Sequence, residues 1–169
     1  MLALESIAEA LGRGGDPVHL CLIGSAACLF GGMEGRTSRD LDVWKPASEY
    51  DLLDLKRAVE SAGLAFDPKT VLEPDQPYLQ LIEPGLTQVG EFTPVRMEKM
   101  GRLILSRPPV ENLIAAKLIR ADARDIGDIQ FLYQLHQPDP ERIRGIVDSF
   151  PPAARNRAVD NLVYLEILQ

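Results

Sequence analysis

Seven residues, SRDLDVW at positions 38–44, alternate with a period of two. Side chains along a β-strand point to opposite faces in turn, so Ser38, Asp40, Asp42 and Trp44 share one face, while Arg39, Leu41 and Val43 share the other. A strand of this kind belongs to a sheet with one face in a core and the other facing water or a cleft. Two readings of the aspartates stay open, a solvated strand face or an oxygen platform for a cation. At a rise of about 3.3 Å per residue their Cα atoms stand about 7 Å apart, so both carboxylates can converge on one small ion. Mg²⁺ commonly takes one or two carboxylates together with substrate phosphates.

The rest of the chain has two characters. Residues 2–12 place Leu2, Leu4, Ile7, Ala8 and Leu11 at helical spacing, and Gly12 then Gly14-Gly15 close that helix. HLCLIG at 19–24 is a short apolar run ended by glycine, the pattern of a buried strand. SAACLFGG at 25–32 reads as a short helix. A helix over 48–62 follows, with Ser48 as its N-cap, a Leu52, Leu55, Val59, Ala62 stripe and Gly63 as its stop. Residues 67–77, with three prolines, read as a loop. YLQLI (78–82), LTQVGEF (86–92) and RLILS (102–106) read as strands. From Pro108 the pattern is helical only, in segments opened by prolines. The spacing therefore predicts an α+β fold, a small mixed sheet flanked by helices over 1–107 and a helical part over 108–169 packed on it.

With 46% hydrophobic and 25% charged residues, the 169-residue chain suits one domain, or one domain with a small helical appendage. No apolar run reaches the length of a membrane span. The start, MLALESIAEALGRGG, lacks a basic n-region and carries Glu5 and Glu9, so it is not read as a signal peptide. Cys21 and Cys28 lie among apolar residues and outside any CxxC pair. They read as reduced core residues, which points to the cytoplasm. The net charge of −7 argues against a general nucleic-acid coat but allows local contact with RNA through a basic edge. His19 and His136 match no metal-ligand spacing. Trp44 reads as core packing, and Arg102, Arg107 and Arg120 as solvated charges.

Upstream of the aspartates, Gly24 and Ser25 sit between an apolar strand and a helix. Backbone N–H groups at such a junction favour phosphate, and the serine hydroxyl adds a donor. Taken alone, the pair is equally an ordinary strand-to-helix turn.

The stretch Leu22–Trp44 resembles the nucleotidyltransferase superfamily that includes DNA polymerase β, especially its small prokaryotic branch associated with toxin–antitoxin systems. The matching residues are Gly24-Ser25 and then Arg36, Ser38, Asp40, Leu41 and Asp42. The stretch VENLIAAKLIRADARDIGDIQFL resembles the same branch through Lys117, Leu118, Arg124, Asp125 and Asp128.

The resemblance implies transfer of a nucleoside monophosphate from a nucleoside triphosphate to a hydroxyl of a protein, a tRNA or a small molecule. It implies two metal ions, Mg²⁺ or Mn²⁺, which bridge the triphosphate. Asp40 and Asp42 would be the metal ligands. Gly24, Ser25 and Ser38 would lie on the nucleotide side, and Lys117 would reach the triphosphate as a point charge or lie on the surface. Arg124, Asp125 and Asp128 read as a capping and ion-pair group. The family's third carboxylate has no clear counterpart between 78 and 93, where Glu91 is the better strand candidate and Glu83 the other. That departure keeps an alternative open, a degenerate member that binds nucleotide without turnover and serves as one half of a toxin–antitoxin pair with a cognate partner protein.

Overall fold

The computed structural model describes residues 2–29, 40–69, 76–85 and 87–168, which form an α+β fold with one six-stranded mixed sheet. In chain order the elements are α1 (Leu2–Leu11), β1 (Val18–Ile23), α2 (Gly24–Leu29), β2 (Asp40–Trp44), α3 (Leu52–Ser61), β3 (Ala65–Phe66), β4 (Tyr78–Ile82), β5 (Val95–Met100), β6 (Leu103–Arg107), α4 (Val110–Leu118), α5 (Ala123–His136), α6 (Pro140–Asp148), α7 (Pro152–Asp160) and α8 (Val163–Leu168). No helix among these residues is long and apolar enough to cross a membrane.

The strand order is β3-β4-β2-β1-β6-β5. β1 pairs antiparallel with β2 and parallel with β6, and β4 runs parallel to β2. The period of two decides which side each residue takes. Leu20, Leu22, Leu41, Val43, Leu79 and Leu81 enter the main core, where Leu4, Ile7 and Leu11 of α1 and Leu55 and Val59 of α3 meet them. Removing a leucine side chain of this kind from water stabilises the fold by about 1.5–3 kcal/mol. Cys21, Ile23 and Trp44 take the other face and form a smaller cluster with Val89. β1 is therefore buried on both sides, the reason its sequence is continuously apolar. Trp44 is core, as its neighbours predicted, and both cysteines are free and buried.

Several expectations are corrected. The helix read from Ser48 begins at Leu52, with Asp51 as the N-cap accepting from the Asp54 N–H at 2.8 Å. Ser48 is occupied elsewhere: its hydroxyl accepts from the Cys21 N–H at 2.9 Å and donates to the Trp44 carbonyl at 2.8 Å. Glu49 exchanges both backbone hydrogen bonds with His19, which holds this stretch extended against β1. Residues 87–92 form no strand beyond an isolated bridge at Thr87. Gly90 turns there with φ +74°, and the buried Asn112 side chain donates to the carbonyls of Val89 (2.8 Å) and Glu91 (3.2 Å). The last sheet hairpin is instead β5–β6, joined by Gly101-Arg102 with glycine at the first central position and φ +59°, as a type II′ turn requires.

Arg102 is buried, not solvated. Its guanidinium donates to the Leu11 carbonyl at the end of α1 and to the Asp16 carbonyl, and it pairs with Asp54 on α3. α4 is buried around nearly its whole circumference, and one hydrophobic cluster runs from α1 through the sheet to α8, so the helical half shares its core with the sheet half.

Candidate functional site

A cleft of about 1070 Å³ opens beside that shared core, lined on one side by the sheet and on the other by the helical half. Its sheet wall carries Gly24, Ser25, Asp40, Asp42 and Tyr78, and its helical wall carries Lys117, Arg120, Arg124 and Asp125, with Arg157 of α7. The structure thus brings together Asp40, Asp42, Gly24, Ser25 and Lys117. Ser38, together with Arg36, lies outside the described residues.

Strand alternation delivers the aspartates. Leu41 and Val43 fill the core, so Asp40 and Asp42 must face the cleft, both half-buried. β1 ends beside them, where Ile23 is the register partner of Asp42. Gly24 then turns the chain into α2 with φ +65°, the left-handed region that favours glycine. A Cβ at this position would lie 2.7 Å from Asp42 Oδ2. Glycine is required twice over, once by the backbone and once by the carboxylate packed against it.

The Asp42 carboxylate makes no hydrogen bond or ion pair with another described residue. Burial, then the neighbouring charge of Asp40, pushes its carboxyl up to about 6, against the pull of Lys117 and Arg120. Tyr78 lies opposite Asp40 in the β2–β4 register, on the same face of the sheet. Burial, then the charges of Asp40 and Asp42, holds the Tyr78 phenol above its usual range.

The helical wall is organised by buried ion pairs. Asp125, Asp128, Ile129 and Leu132 occupy the buried stripe of α5, so two carboxylates sit at core positions. Lys117 on α4 meets them, with Nζ 2.7 Å from Asp128 Oδ2 and 3.2 Å from Asp125 Oδ1. Arg120 closes the group at 2.7 Å from Asp125. Buried charges persist only when paired in this way. Ser25 approaches the same group, its hydroxyl 3.5 Å from Asp128 Oδ2. Lys117 is therefore neither a surface lysine nor a freely extended point charge; its ammonium is held by two aspartates at the back of the cleft. Asp125 and Asp128 do form an ion-pair group, but with Lys117 and Arg120 in the place expected for Arg124. The α5 N-cap is Asp122.

Glu91 does not join the site. It is exposed in the bend after Gly90, outside any strand and away from the cleft lining, because the turn and Asn112 fix its backbone against α4. Glu83 is exposed and paired with Lys45 at 2.6 Å. Among the described residues no three His, Cys, Asp or Glu side chains gather into a metal-binding group. Tyr78 was not singled out from the sequence, although the alternation of YLQLI sets Tyr78, Gln80 and Ile82 on one face. Arg120 is exposed, as its reading as a solvated charge expects, and from the turn between α4 and α5 it also pairs with Asp122 and Asp125.

No family model, curated protein or solved structure matches this chain.

Proposed function

We propose that this protein is a metal-dependent nucleotidyltransferase, which moves a nucleoside monophosphate from a nucleoside triphosphate to a hydroxyl. The observation that carries this reading is Asp42: a half-buried carboxylate on the cleft floor, beside Asp40 and packed on the Gly24 turn, with no cationic partner among the described residues and a raised pKa. Such a group is destabilised as an anion and is relieved by a bound cation.

The donor set fits a hard divalent ion such as Mg²⁺ or Mn²⁺, since Asp40 and Asp42 offer oxygens and triphosphate oxygens and water would supply the remainder. A divalent cation held there would offset charge developing on the transferring phosphorus. The Gly24-Ser25 junction contributes backbone N–H groups and a hydroxyl next to the aspartates, suited to the phosphate tail. Across the cleft, Lys117 and Arg120 are held in place by Asp125 and Asp128, so the N–H donors on that wall are fixed before a ligand arrives. In the transfer, the acceptor hydroxyl oxygen bonds to the α-phosphorus and the bond from that phosphorus to the β-bridging oxygen breaks. Pyrophosphate leaves, and the hydroxyl proton passes to water in the cleft.

A second reading has its own support. Tyr78 and Gln80, rather than a carboxylate, occupy the strand beside the aspartates, which suits a protein that binds nucleotide and pairs with a partner protein without turnover. Equilibrium dialysis with each of the four triphosphates and Mg²⁺, followed by incubation of α-labelled triphosphate with cell lysate, separates the two. Transfer of label by wild type and not by Asp40→Asn supports the enzyme. Binding without transfer supports the partner-binding reading. Neither binding nor transfer with any nucleotide removes both.

A further inference from the structure

β4 lies next to β2 in parallel register, with Tyr78 opposite Asp40 and Gln80 opposite Asp42. Neighbouring strands stand about 4.8 Å apart, and register partners project to the same face. Among the described residues of β4, positions 78 and 80 are thus those on the face of Asp40 and Asp42; Tyr78 lines the cleft, and Gln80 lies outside its lining but in register with Asp42. Leu79 and Leu81 are committed to the core and cannot exchange roles with them. The residues present are a phenol and a carboxamide. The phenol stands opposite the Asp40 carboxylate in register, and it is a neutral group able to donate to a carboxylate. A carboxamide oxygen is a neutral donor and does not compensate the charge of an additional dication.

We infer that the site takes one divalent cation and not the two that the family resemblance implies. Tyr78 is a positioning residue for Asp40, and Gln80 stands where a carboxylate would create a second ion site. The inference rests on the metal-site reading above, and the ion count separates failure of one from failure of the other.

The experiment is a Mn²⁺ titration of the full chain. Free aqueous Mn²⁺ is followed by electron paramagnetic resonance, with Mn²⁺ alone and with one equivalent of an α,β-methylene nucleoside triphosphate. Wild type is expected to bind one Mn²⁺ per chain in both series. Gln80→Asp, which places a third carboxylate beside Asp42, is expected to bind two in the nucleotide series. Tyr78→Phe is expected to keep one ion with its affinity changed severalfold, a readout independent of turnover. Two ions on wild type overturn the inference while leaving the metal site intact. No ion on wild type in either series overturns the metal-site reading itself. A folded Gln80→Asp that stays at one ion overturns the role given to position 80. The wild-type count decides the central point even where the Gln80→Asp chain does not fold.

Discussion

Replacing Gly24 with alanine isolates the contact on which the site's geometry turns. Two effects act. The backbone at φ +65° penalises any Cβ by about 1–2 kcal/mol. In addition the new Cβ would lie 2.7 Å from Asp42 Oδ2, so the carboxylate must retreat by about 0.7 Å to reach ordinary van der Waals contact at 3.4 Å. Metal–ligand distances tolerate only about 0.2 Å, so the displaced oxygen leaves the coordination range. Gly63→Ala is the internal control, because Gly63 has φ +81° with nothing within 4 Å of its Cβ position. Both variants should lose about 1–2 kcal/mol, seen as a fall in melting temperature of about 2–8 °C. Only Gly24→Ala should also lose tenfold or more in Mn²⁺ affinity, measured by calorimetry or electron paramagnetic resonance. Equal Mn²⁺ affinity in Gly24→Ala and Gly63→Ala would refute the reasoning, since the carboxylate would then be irrelevant to the ion.

Asp128→Ala leaves the buried Lys117 ammonium with Asp125 alone, and Lys117→Met removes the cation that both aspartates share; each should destabilise by about 1–4 kcal/mol in urea unfolding, with the double variant losing less than the sum, and additive losses would show that the pair is not coupled. The Asp42 carboxyl, at about 6 in the folded chain against 3.8 as the ordinary value, binds its proton more tightly when folded, so metal-free stability should fall as pH rises from about 4 to 6 and level off above. Asp42→Asn should therefore be more stable than metal-free wild type at pH 7, by on the order of 2–3 kcal/mol, while binding no Mn²⁺; chemical denaturation across that window checks both the slope and its loss. Asn112→Ala leaves the Val89 and Glu91 carbonyls without their side-chain donor and should destabilise by about 1–3 kcal/mol, with faster amide exchange over residues 87–91 as the specific sign.

The elements that could be read from the sequence are those whose surroundings impose a period. DLDVW alternates because one side is core and the other cleft, and LCLI is continuously apolar because β1 is buried on both sides. β5, VRMEKM, escaped because it is an exposed edge strand with no face to bury, and its charged residues serve to block edge pairing. The one local signal for it was Gly101 before Arg102, a glycine-first hairpin turn. LTQVGEF looked like a strand by composition, but the left-handed Gly90 and the Asn112 donor, 21 to 23 residues away, draw its backbone out of the sheet. The candidate site divides the same way. Asp40, Asp42 and Gly24 follow from local spacing. The pairing of Lys117 with Asp125 and Asp128, and the placing of Tyr78 beside Asp40, depend on helix packing and strand register, which a single sequence does not encode in its neighbours.

The most direct measurement of the metal site is anomalous diffraction from crystals soaked with Mn²⁺ and an α,β-methylene nucleoside triphosphate. A Mn²⁺ peak ligated by Asp40 and Asp42, with the phosphates running toward Gly24-Ser25, is the predicted result. Mn²⁺ bound elsewhere, or the two aspartates turned into ion pairs with arginines and no ion between them, would contradict it.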